Sequence, residues 1–264
     1  MPEGNEIHRF AERHAAAFRG RRVHVDSPNG GFPDAGILNG RTLRGVEAVG
    51  KHLGYVFGRD LILHIHLGMY GDFWEGKMPL PTEKGALRLR IYTRSDWIEL
   101  RGGTDTSIFD EEKWQALLAR LGPDPLREDV DPGSAFAVTG KRNTSIGLLL
   151  MDQSVIAGIG NIFRAELLYR AGINPDRPGK EVGLPALRGI WKDARALMKT
   201  AMDDRRIVTT KPKDRPHRRG PVLDEEVHYV YRRQGKPCYV CGTAIERKDM
   251  GGRTVYWCSV CQKV

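Results

Sequence analysis

The first twenty residues carry a helical pattern. Four side chains recur at intervals of three or four residues and share one face of a helix: Ile7, Phe10, His14 and Phe18. Gly20 stands where a C-terminal cap belongs, because glycine tolerates the left-handed backbone that ends many helices. We therefore predict a helix over residues 3–19.

Residues 22–101 change to a period of two, which is typical of strands with one buried face. The alternation is clearest where Arg88, Arg90 and Tyr92 alternate with three apolar residues. These are Leu87, Leu89 and Ile91. Turns of sequence NGG, NG and GG separate the short runs. The pattern predicts a β-sandwich or a barrel.

A short helix and a proline-rich stretch follow. Asp110 can cap a helix whose apolar face would be formed by Trp114, Leu117, Leu118 and Leu121. Residues 122–133, GPDPLREDVDPG, are rich in proline and charge, so they are the best position for a domain boundary. We place the end of the first domain at residue 125.

Residues 145–204 are predicted to be helical throughout, apart from one glycine turn. The run SIGLLLMDQ precedes the turn AGIGN, and IFRAELLYRAG follows it. A long helix then carries four apolar residues at helical spacing, Leu187, Ile190, Leu197 and Met198. Residues 205–226 are basic, proline-rich and poor in apolar residues, so we expect a mobile loop there.

All four cysteines lie close together near the end of the sequence. Cys238 and Cys241 form one pair, Cys258 and Cys261 form another, and sixteen residues separate the pairs. This is the spacing of a tetrahedral four-thiolate site on a β-hairpin, and four thiolates leave no open coordination position. We therefore predict one structural Zn²⁺, with free or redox-active cysteines as the alternative. A disulfide framework would spread its cysteines more widely.

The charge balance favours a polyanionic partner. The 264 residues include 42 Lys and Arg against 33 Asp and Glu, which gives a formal net charge of +9. The zinc segment is itself basic, with seven Lys or Arg against Glu246 and Asp249 over residues 232–264. No apolar run is long enough to span a bilayer, and the first residues lack the apolar core of a secretion signal. We expect a cytoplasmic protein that has no membrane partner.

The glycine turn is a candidate phosphate site. Residues 157–161 read Ala-Gly-Ile-Gly-Asn and stand just before a helix, at or beside whose N-cap Asn161 would lie. Exposed backbone N–H groups and the positive end of the helix dipole suit a phosphate. The alternative is plain packing, because turns between helices commonly need glycine.

Three segments together resemble the Fpg/Nei family of bacterial DNA glycosylases. They are Met-Pro-Glu-Gly at 1–4, MDQSVIAGIGNIFRAELLYRAGINP at 151–175, and the terminal cysteine pattern that ends in CQKV. The resemblance spans the chain and implies an α+β protein in three parts. These are an N-terminal catalytic β-sandwich domain with an N-terminal helix at 1–125, a helix-two-turns-helix domain at 134–226, and a zinc finger at 227–264.

The resemblance also implies roles for individual residues. Pro2 would be the nucleophile and Glu3 the acid, with Lys51 as a supporting lysine. The strand-like surroundings of Lys51, taken alone, instead favour a lysine at a strand edge whose ammonium group lies in solvent. Phosphates beside the lesion would be bound by Gly160, Asn161 and Arg253. Met69 and Tyr70 would fill the space that a flipped base leaves, although both could equally be packing residues at a strand end.

The implied chemistry suits these residue types. Removal of Met1 would expose a secondary amine on Pro2, which can attack the sugar C1′ and form a Schiff base. The positive end of the helix dipole disfavours protonation of an amine placed there, which increases its nucleophilicity. Glu3 could then act as a general acid.

Several interpretations stay open. The start MPEGNEIHR and the bulky Tyr70 favour the Nei, or endonuclease VIII, branch and oxidised pyrimidines, whereas the segment His66 to Met69 is similar to the Fpg pattern, whose substrates are oxidised purines. A non-catalytic zinc-finger DNA-binding protein is a second class, and a zinc-ribbon factor that acts on RNA is a third. We expect a monomer that binds damaged DNA.

Overall fold

A computed structural model describes residues 2–103 and 105–263. They form two compact units, which divide between Arg120 and Leu121. The finer boundaries at residues 125, 134 and 226 remain predictions. In the part of the chain that is described, no helix is both long and apolar enough to cross a membrane.

The N-terminal unit is a β-sandwich with three helices, as the alternation predicted. In chain order its elements are α1 (Gly4–Phe18), β1 (His24–Asp26), α2 (Ala35–Leu38), β2 (Gly45–Val49), β3 (His52–Gly58), β4 (Leu61–His66), β5 (Asp72–Lys77), β6 (Leu87–Tyr92), β7 (Asp96–Arg101), β8 (Asp105–Phe109) and α3 (Glu111–Leu118). The strands form two antiparallel sheets, in the orders β1-β6-β7-β5 and β2-β3-β4-β8. The prediction of a sandwich is confirmed.

One hydrophobic core joins α1 to both sheets. Ile7, Phe10 and Phe18 of α1 are buried in the same cluster as Leu89 of β6 and Leu53 of β3. The helix ends before Gly20, whose φ of +77° is the left-handed conformation expected at that position. The buried face of α1 therefore has the composition that its sequence pattern predicted.

Helix α3 covers the outer face of the second sheet. The Asp110 side chain accepts a hydrogen bond of 2.7 Å from the backbone N–H of Lys113, which is the predicted N-cap. Trp114 is buried with Ile62 and Phe109 in a cluster separate from the main core. Because Ile62 and the core residue Leu63 are neighbours on β4, the two clusters lie on opposite faces of that sheet.

The C-terminal unit is helical and ends in a β-hairpin. Its elements are α4 (Gly133–Thr139), α5 (Ile146–Leu149), α6 (Asn161–Arg170), α7 (Leu184–Asp204), β9 (Glu246–Asp249) and β10 (Thr254–Trp257). Short 3₁₀ turns lie at Gly179–Glu181, Pro212–Asp214 and Asp224–Glu226. Apolar residues of α5, α6 and α7 share one core, in which Phe163, Leu168 and Met198 are fully buried.

Two predictions for this unit were partly wrong. Residues 150–156 form turns rather than helix ahead of the predicted glycine turn, because the Asp152 side chain accepts hydrogen bonds from the backbone and hydroxyl of Ser154 and so competes with helical bonding. The segment 205–226, predicted as a loop, contains two of the 3₁₀ turns and is anchored by buried Thr209 and Thr210. The Thr210 hydroxyl donates to the Glu226 carbonyl at 2.6 Å.

Three imidazoles of the N-terminal unit are held uncharged. Burial is the main cause that lowers the pKa of His14 and of His52 to about 3 and the pKa of His64 to about 4. In the unfolded chain these rings take up a proton near pH 6.5. Their contribution to stability is therefore complete above pH 6.5 and is lost as the pH falls towards their folded pKa values.

This difference predicts acid sensitivity. Between pH 7 and pH 5 each of the three rings should remove about 2 kcal/mol from the free energy of unfolding. Replacing buried His64, as in His64→Leu, should reduce the loss of unfolding free energy between pH 7 and pH 5 by about 2 kcal/mol. His24→Gln, at an exposed ring, should leave that loss unchanged. The free energy of unfolding of the full chain, measured at both pH values, gives this loss for each variant. An equal loss in wild type and in His64→Leu would contradict the expectation.

Candidate active site and DNA-binding elements

Pro2 and Glu3 lie at the N-terminal end of α1. Glu3 is the N-cap residue, and its carbonyl accepts hydrogen bonds from the N–H groups of Glu6 and Ile7 at 3.0 and 3.3 Å. The Glu3 residue is only 2% exposed, whereas Pro2 is partly exposed. Met1, whose removal the chemistry requires, lies outside the described residues. The position of Pro2 is thus set by the helix that follows it.

Lys51 is in a turn and not in a strand, which corrects the interpretation from sequence. Val49 pairs with His52 across β2 and β3, so Gly50 and Lys51 form a two-residue hairpin turn. Gly50 has a φ of +58° and Lys51 does not have a positive φ, which is the type II′ combination. The glycine at the first turn position therefore allows Lys51 to project from the end of the hairpin.

A stack of histidine rings lies beside Lys51, and sequence reasoning missed it. His52 Nδ1 and His64 Nε2 are 2.9 Å apart, and the ring centroids of His52 and His66 are 4.9 Å apart. Burial and then the Lys51 charge lower the pKa of His66. The alternation His64-Ile65-His66 on β4 was the available sequence signal. Because the pKa values of His52, His64 and His66 are all lowered, the imidazoles on this side of Lys51 are uncharged near pH 7.

Met69 and Tyr70 project from the turn between β4 and β5. The N–H of Gly71 donates to the Leu67 carbonyl at 2.9 Å, which closes this turn, and Gly68 has a φ of +61°. Met69 is 50% exposed and Tyr70 is 78% exposed, although Leu67 just before them is buried. Two large apolar side chains are thus presented to solvent on a tight turn.

In the C-terminal unit, the glycine turn leads directly into α6. Gly158 has a φ of +88°, Gly160 is the N-cap residue, and Asn161 is the first residue of the helix. The Gln153 side chain holds the turn, because its amide accepts from the Gly158 N–H at 3.0 Å and donates to the Ile159 carbonyl at 3.1 Å. Gln153 was not identified from the sequence.

The same turn is joined to the zinc hairpin. The Asn161 side-chain amide donates to the Thr254 carbonyl at 2.9 Å. Arg164, one helical turn further on and fully buried, donates to the Asn161 side-chain oxygen and to the Met250 carbonyl, and its guanidinium lies 3.5 Å from the Arg253 carbonyl. The structure therefore places the backbone of Arg253 close to Asn161, and a phosphate site shared by the two residues remains a prediction. Arg164 itself was missed, although its spacing from Asn161 places both on one helix face.

A second buried charge on α6 anchors the chain before the zinc segment. The Glu166 carboxylate accepts hydrogen bonds from the consecutive N–H groups of Tyr229, Val230 and Tyr231, at 2.7 to 2.9 Å. The Thr209 hydroxyl also donates to it. Glu166 is fully buried, and these four donors replace the water that its charge would otherwise require. The sequence carried no signal for this role beyond an acidic residue within an apolar helix.

The four cysteines form a site that fits zinc. All four Sγ atoms lie within 4.8 Å of one another, with Cys238 and Cys261 at 3.8 Å and Cys241 and Cys258 at 3.4 Å. Tetrahedral Zn–S bonds of about 2.3 Å place sulfurs about 3.8 Å apart. The Val240 N–H points to Cys238 Sγ at 3.4 Å, as in a zinc knuckle. A single structural Zn²⁺ accounts for the donor set.

The hairpin turn adjacent to this site carries Arg253. Residues 250–253 connect β9 to β10, and the Met250 N–H donates to the Arg253 carbonyl at 2.9 Å. Gly251 and Gly252 both have left-handed φ values, which a turn this tight requires. The turn fixes the backbone of Arg253 beside the N-terminal end of α6.

Comparisons with known proteins cover the whole chain. Residues 1–110 match the formamidopyrimidine-DNA glycosylase N-terminal domain, residues 121–212 match the H2TH domain of the same enzymes, and residues 235–264 match a zinc finger found in FPG and IleRS. Endonuclease 8 1 of Mycobacterium tuberculosis is 43% identical over 99% of this chain and 100% of its own. A formamidopyrimidine-DNA glycosylase of Methylococcus capsulatus is 31% identical over 100% of this chain and 99% of its own.

The fold is also similar to solved structures. A complex between the Lactococcus lactis Fpg and an abasic site containing DNA superposes with a TM-score of 0.80 at 21% identity, and covers 99% of this chain and 100% of that one. The predicted α+β architecture, with its sandwich, H2TH and zinc-finger parts, is confirmed. The chain belongs to the formamidopyrimidine-DNA glycosylase and endonuclease 8 family, whose members are DNA glycosylases and AP lyases of base excision repair.

Proposed function

We propose that this enzyme removes oxidised bases from DNA, preferring oxidised pyrimidines, by attack of the Pro2 amine on the damaged nucleotide. The observation that supports this most strongly is the position of Pro2 and Glu3 at the N-terminal end of α1, where a buried carboxyl follows a partly exposed proline. Once Met1 is removed, the Pro2 nitrogen becomes a secondary amine at the positive end of a helix. That environment favours the neutral, nucleophilic form of the amine.

The proposed reaction has two stages. The lone pair of the Pro2 nitrogen forms a bond to the sugar C1′ while the glycosidic bond breaks, and the base leaves with a proton for which Glu3 is the nearby acid. The first product is an aminal in which the sugar ring is still closed. Its C1′–O4′ bond then breaks as O4′ takes up a proton and the Pro2 nitrogen loses one, and the iminium so formed makes the C2′ protons acidic. Loss of one of them expels the 3′ phosphate by β-elimination, and δ-elimination then expels the 5′ phosphate.

Lys51 is proposed to hold Glu3 or the 3′ phosphate. Its turn position allows the ammonium group to extend away from the sheet, and the uncharged histidine rings beside it do not compete for an anion. Lys51 therefore acts by position and charge rather than as the attacking group.

DNA contacts are proposed at two places. Gly160, Asn161 and Arg253 would bind the phosphates beside the lesion, supported by their convergence at the start of α6. Met69 and Tyr70 would enter the space left by the flipped nucleotide, supported by their exposure on a tight turn. The solved structure of the Lactococcus lactis enzyme holds abasic-site DNA, which supports a damaged duplex as the ligand here.

The proposed preference for oxidised pyrimidines is supported by similarity to one branch of the family. The relative at 43% identity is named endonuclease 8 1, whereas the formamidopyrimidine-DNA glycosylases reported above and in Geobacter metallireducens are 31% and 30% identical. Tyr70 adds a second bulky side chain after Met69. An Fpg-type enzyme for oxidised purines such as 8-oxoguanine is the second candidate, favoured by the segment His66-Leu67-Gly68-Met69.

Replacing or blocking Pro2 tests the nucleophile. Borohydride added during turnover should reduce the Schiff base and trap a covalent protein–DNA adduct. Pro2→Gly, or acetylation of the N-terminal amine, should abolish incision and leave affinity for uncleavable abasic-analogue DNA within about threefold, because the phosphate contacts lie elsewhere. Pro33→Gly, at an exposed proline outside α1, serves as the control for loss of a proline. Normal incision by a blocked enzyme would remove Pro2 from the mechanism.

A lesion panel tests the substrate preference. Single-turnover excision of 5-hydroxyuracil should exceed that of 8-oxoguanine by roughly tenfold or more in matched duplexes, which corresponds to about 1.4 kcal/mol in activation free energy. Excision of an abasic site in the same sequence serves as the control for the lyase step. Faster excision of 8-oxoguanine would favour the Fpg-type alternative.

Removing one zinc ligand tests the DNA-binding hairpin. Cys258→Ser should unfold the hairpin and displace Arg253, so that DNA affinity falls by roughly tenfold or more. Ser259→Ala at the exposed neighbouring position should bind normally. Affinity is measured on abasic-analogue DNA, and zinc content is measured on the same samples. Normal affinity in zinc-free Cys258→Ser would contradict the proposed phosphate contact of Arg253.

A further inference from the structure

Three side chains of α1 converge on a single carboxylate of β5. Arg13 Nε lies 3.0 Å from Glu75 Oε1 and 3.1 Å from Glu75 Oε2, so one N–H is shared between both oxygens. Arg9 Nη1 lies 3.8 Å from Oε1, and His14 Nε2 lies 3.7 Å from Oε2. The Glu75 side chain is 20% exposed and the Arg13 side chain is 37% exposed, so this cluster is partly buried. Charge pairs of this kind are screened less than pairs on the surface.

The same helix is also joined to the other sheet. His14 Nδ1 and Tyr55 Oη are 2.6 Å apart, and Tyr55 lies on β3. Both side chains are fully buried. Because β5 and β3 belong to different sheets, the polar contacts of α1 link it to both layers of the sandwich.

The protonation states of His14 and Tyr55 decide which atom donates the hydrogen bond in each contact. Burial, followed by the charges of Arg13 and Arg9, lowers the pKa of His14 to about 3, while burial and the Glu75 charge raise the pKa of Tyr55. Both groups are therefore neutral near pH 7. The tyrosine hydroxyl then donates to Nδ1, which assigns the ring proton to Nε2, the nitrogen that faces Glu75. The opposite tautomer would aim a lone pair at a carboxylate.

Directional contacts matter here because the apolar contacts of α1 are not directional. Ile7, Phe10 and Phe18 bury one face of the helix, but hydrophobic burial alone permits small shifts along the helix axis. The chemistry in the proposed function depends on the backbone nitrogen of Pro2, which no side-chain rotation can reposition. A shift of about 1 Å in a reacting group can reduce a rate by up to about 10²-fold.

We propose that Glu75 is a positioning residue for the Pro2 amine: its hydrogen bonds from Arg13, supported by the nearby charge of Arg9, fix where α1 sits along its axis, and so where the amine meets the sugar. The proposal rests on the proposed function of Pro2. Glu75 touches neither the sugar nor the base in this role. It acts through the helix.

The test separates the rate of chemistry from DNA binding. Glu75→Gln keeps the size of the side chain and removes its charge, and Glu12→Gln is the matched control because Glu12 is exposed on the same helix. The full-length enzyme is mixed with saturating abasic-site duplex and borohydride, and the single-turnover rate of adduct formation is measured. We expect roughly a tenfold fall for Glu75→Gln and no change for Glu12→Gln. Affinity for a tetrahydrofuran-containing duplex should stay within about twofold.

A second pair of variants keeps the test independent of folding defects. The Arg13 side chain is 37% exposed, so Arg13→Met is not expected to unfold the domain, yet it removes the closest cation from Glu75. It should slow adduct formation as Glu75→Gln does, and Arg13→Lys should restore most of the rate. Wild-type rates in both Glu75→Gln and Arg13→Met would overturn the proposal. A rate loss matched by an equal loss of DNA affinity would also overturn it, because that is the result of a merely structural role.

Acetylation of the N-terminal amine in the same assay separates this proposal from the function on which it rests. If the acetylated enzyme forms no adduct while Glu75→Gln and Arg13→Met form adduct at the wild-type rate, the proposed function stands and only the positioning role fails. If the acetylated enzyme forms adduct undiminished, both fail.

Discussion

The proposed nucleophile is a backbone nitrogen, and this constrains the rest of the N-terminal unit. A serine or lysine nucleophile can search for its target by rotating about side-chain bonds, whereas the nitrogen of Pro2 has no such bonds and is carried by the buried N-cap residue Glu3 at the start of α1. The helix is held by its apolar face in a core shared by both sheets and by polar contacts to Glu75 and Tyr55. The precision of the chemistry is therefore a property of how one helix is docked.

In the C-terminal unit, buried charges hold separate segments of the chain together. Arg164 joins the start of α6 to the hairpin that bears Arg253, and Glu166 holds the chain that leads into the zinc segment. Separating a buried charge from its partners typically destabilises a folded protein by several kcal/mol. The contacts of Arg164 and Glu166 therefore strongly favour one arrangement of the segments that they join. Zinc adds the folding free energy that so short a hairpin cannot obtain from a core.

Local patterns predicted much of this structure. The period of α1, the alternation in β6, the Asp110 cap and the cysteine spacing each depend on residues close together in sequence, and each is confirmed. The resemblance added the identities of the proposed catalytic residues. Lys51 was misplaced because its apolar neighbours gave a strand-like pattern, while the turn was set by the backbone of Gly50.

Contacts between distant residues could not be predicted in the same way. Asn161 and Thr254 are 93 positions apart, and Arg13 and Glu75 are 62 apart, so no local pattern links them. Buried charges such as Arg164 and Glu166 resemble surface residues in a sequence, because only the folded chain supplies their partners.

The most direct measurement is the location of the covalent bond. Borohydride-reduced enzyme–DNA adduct, digested and sequenced by tandem mass spectrometry, should carry the sugar remnant on the nitrogen of Pro2, in a peptide that lacks Met1. A remnant on a lysine such as Lys51, or an active enzyme that retains Met1, would contradict the central claim.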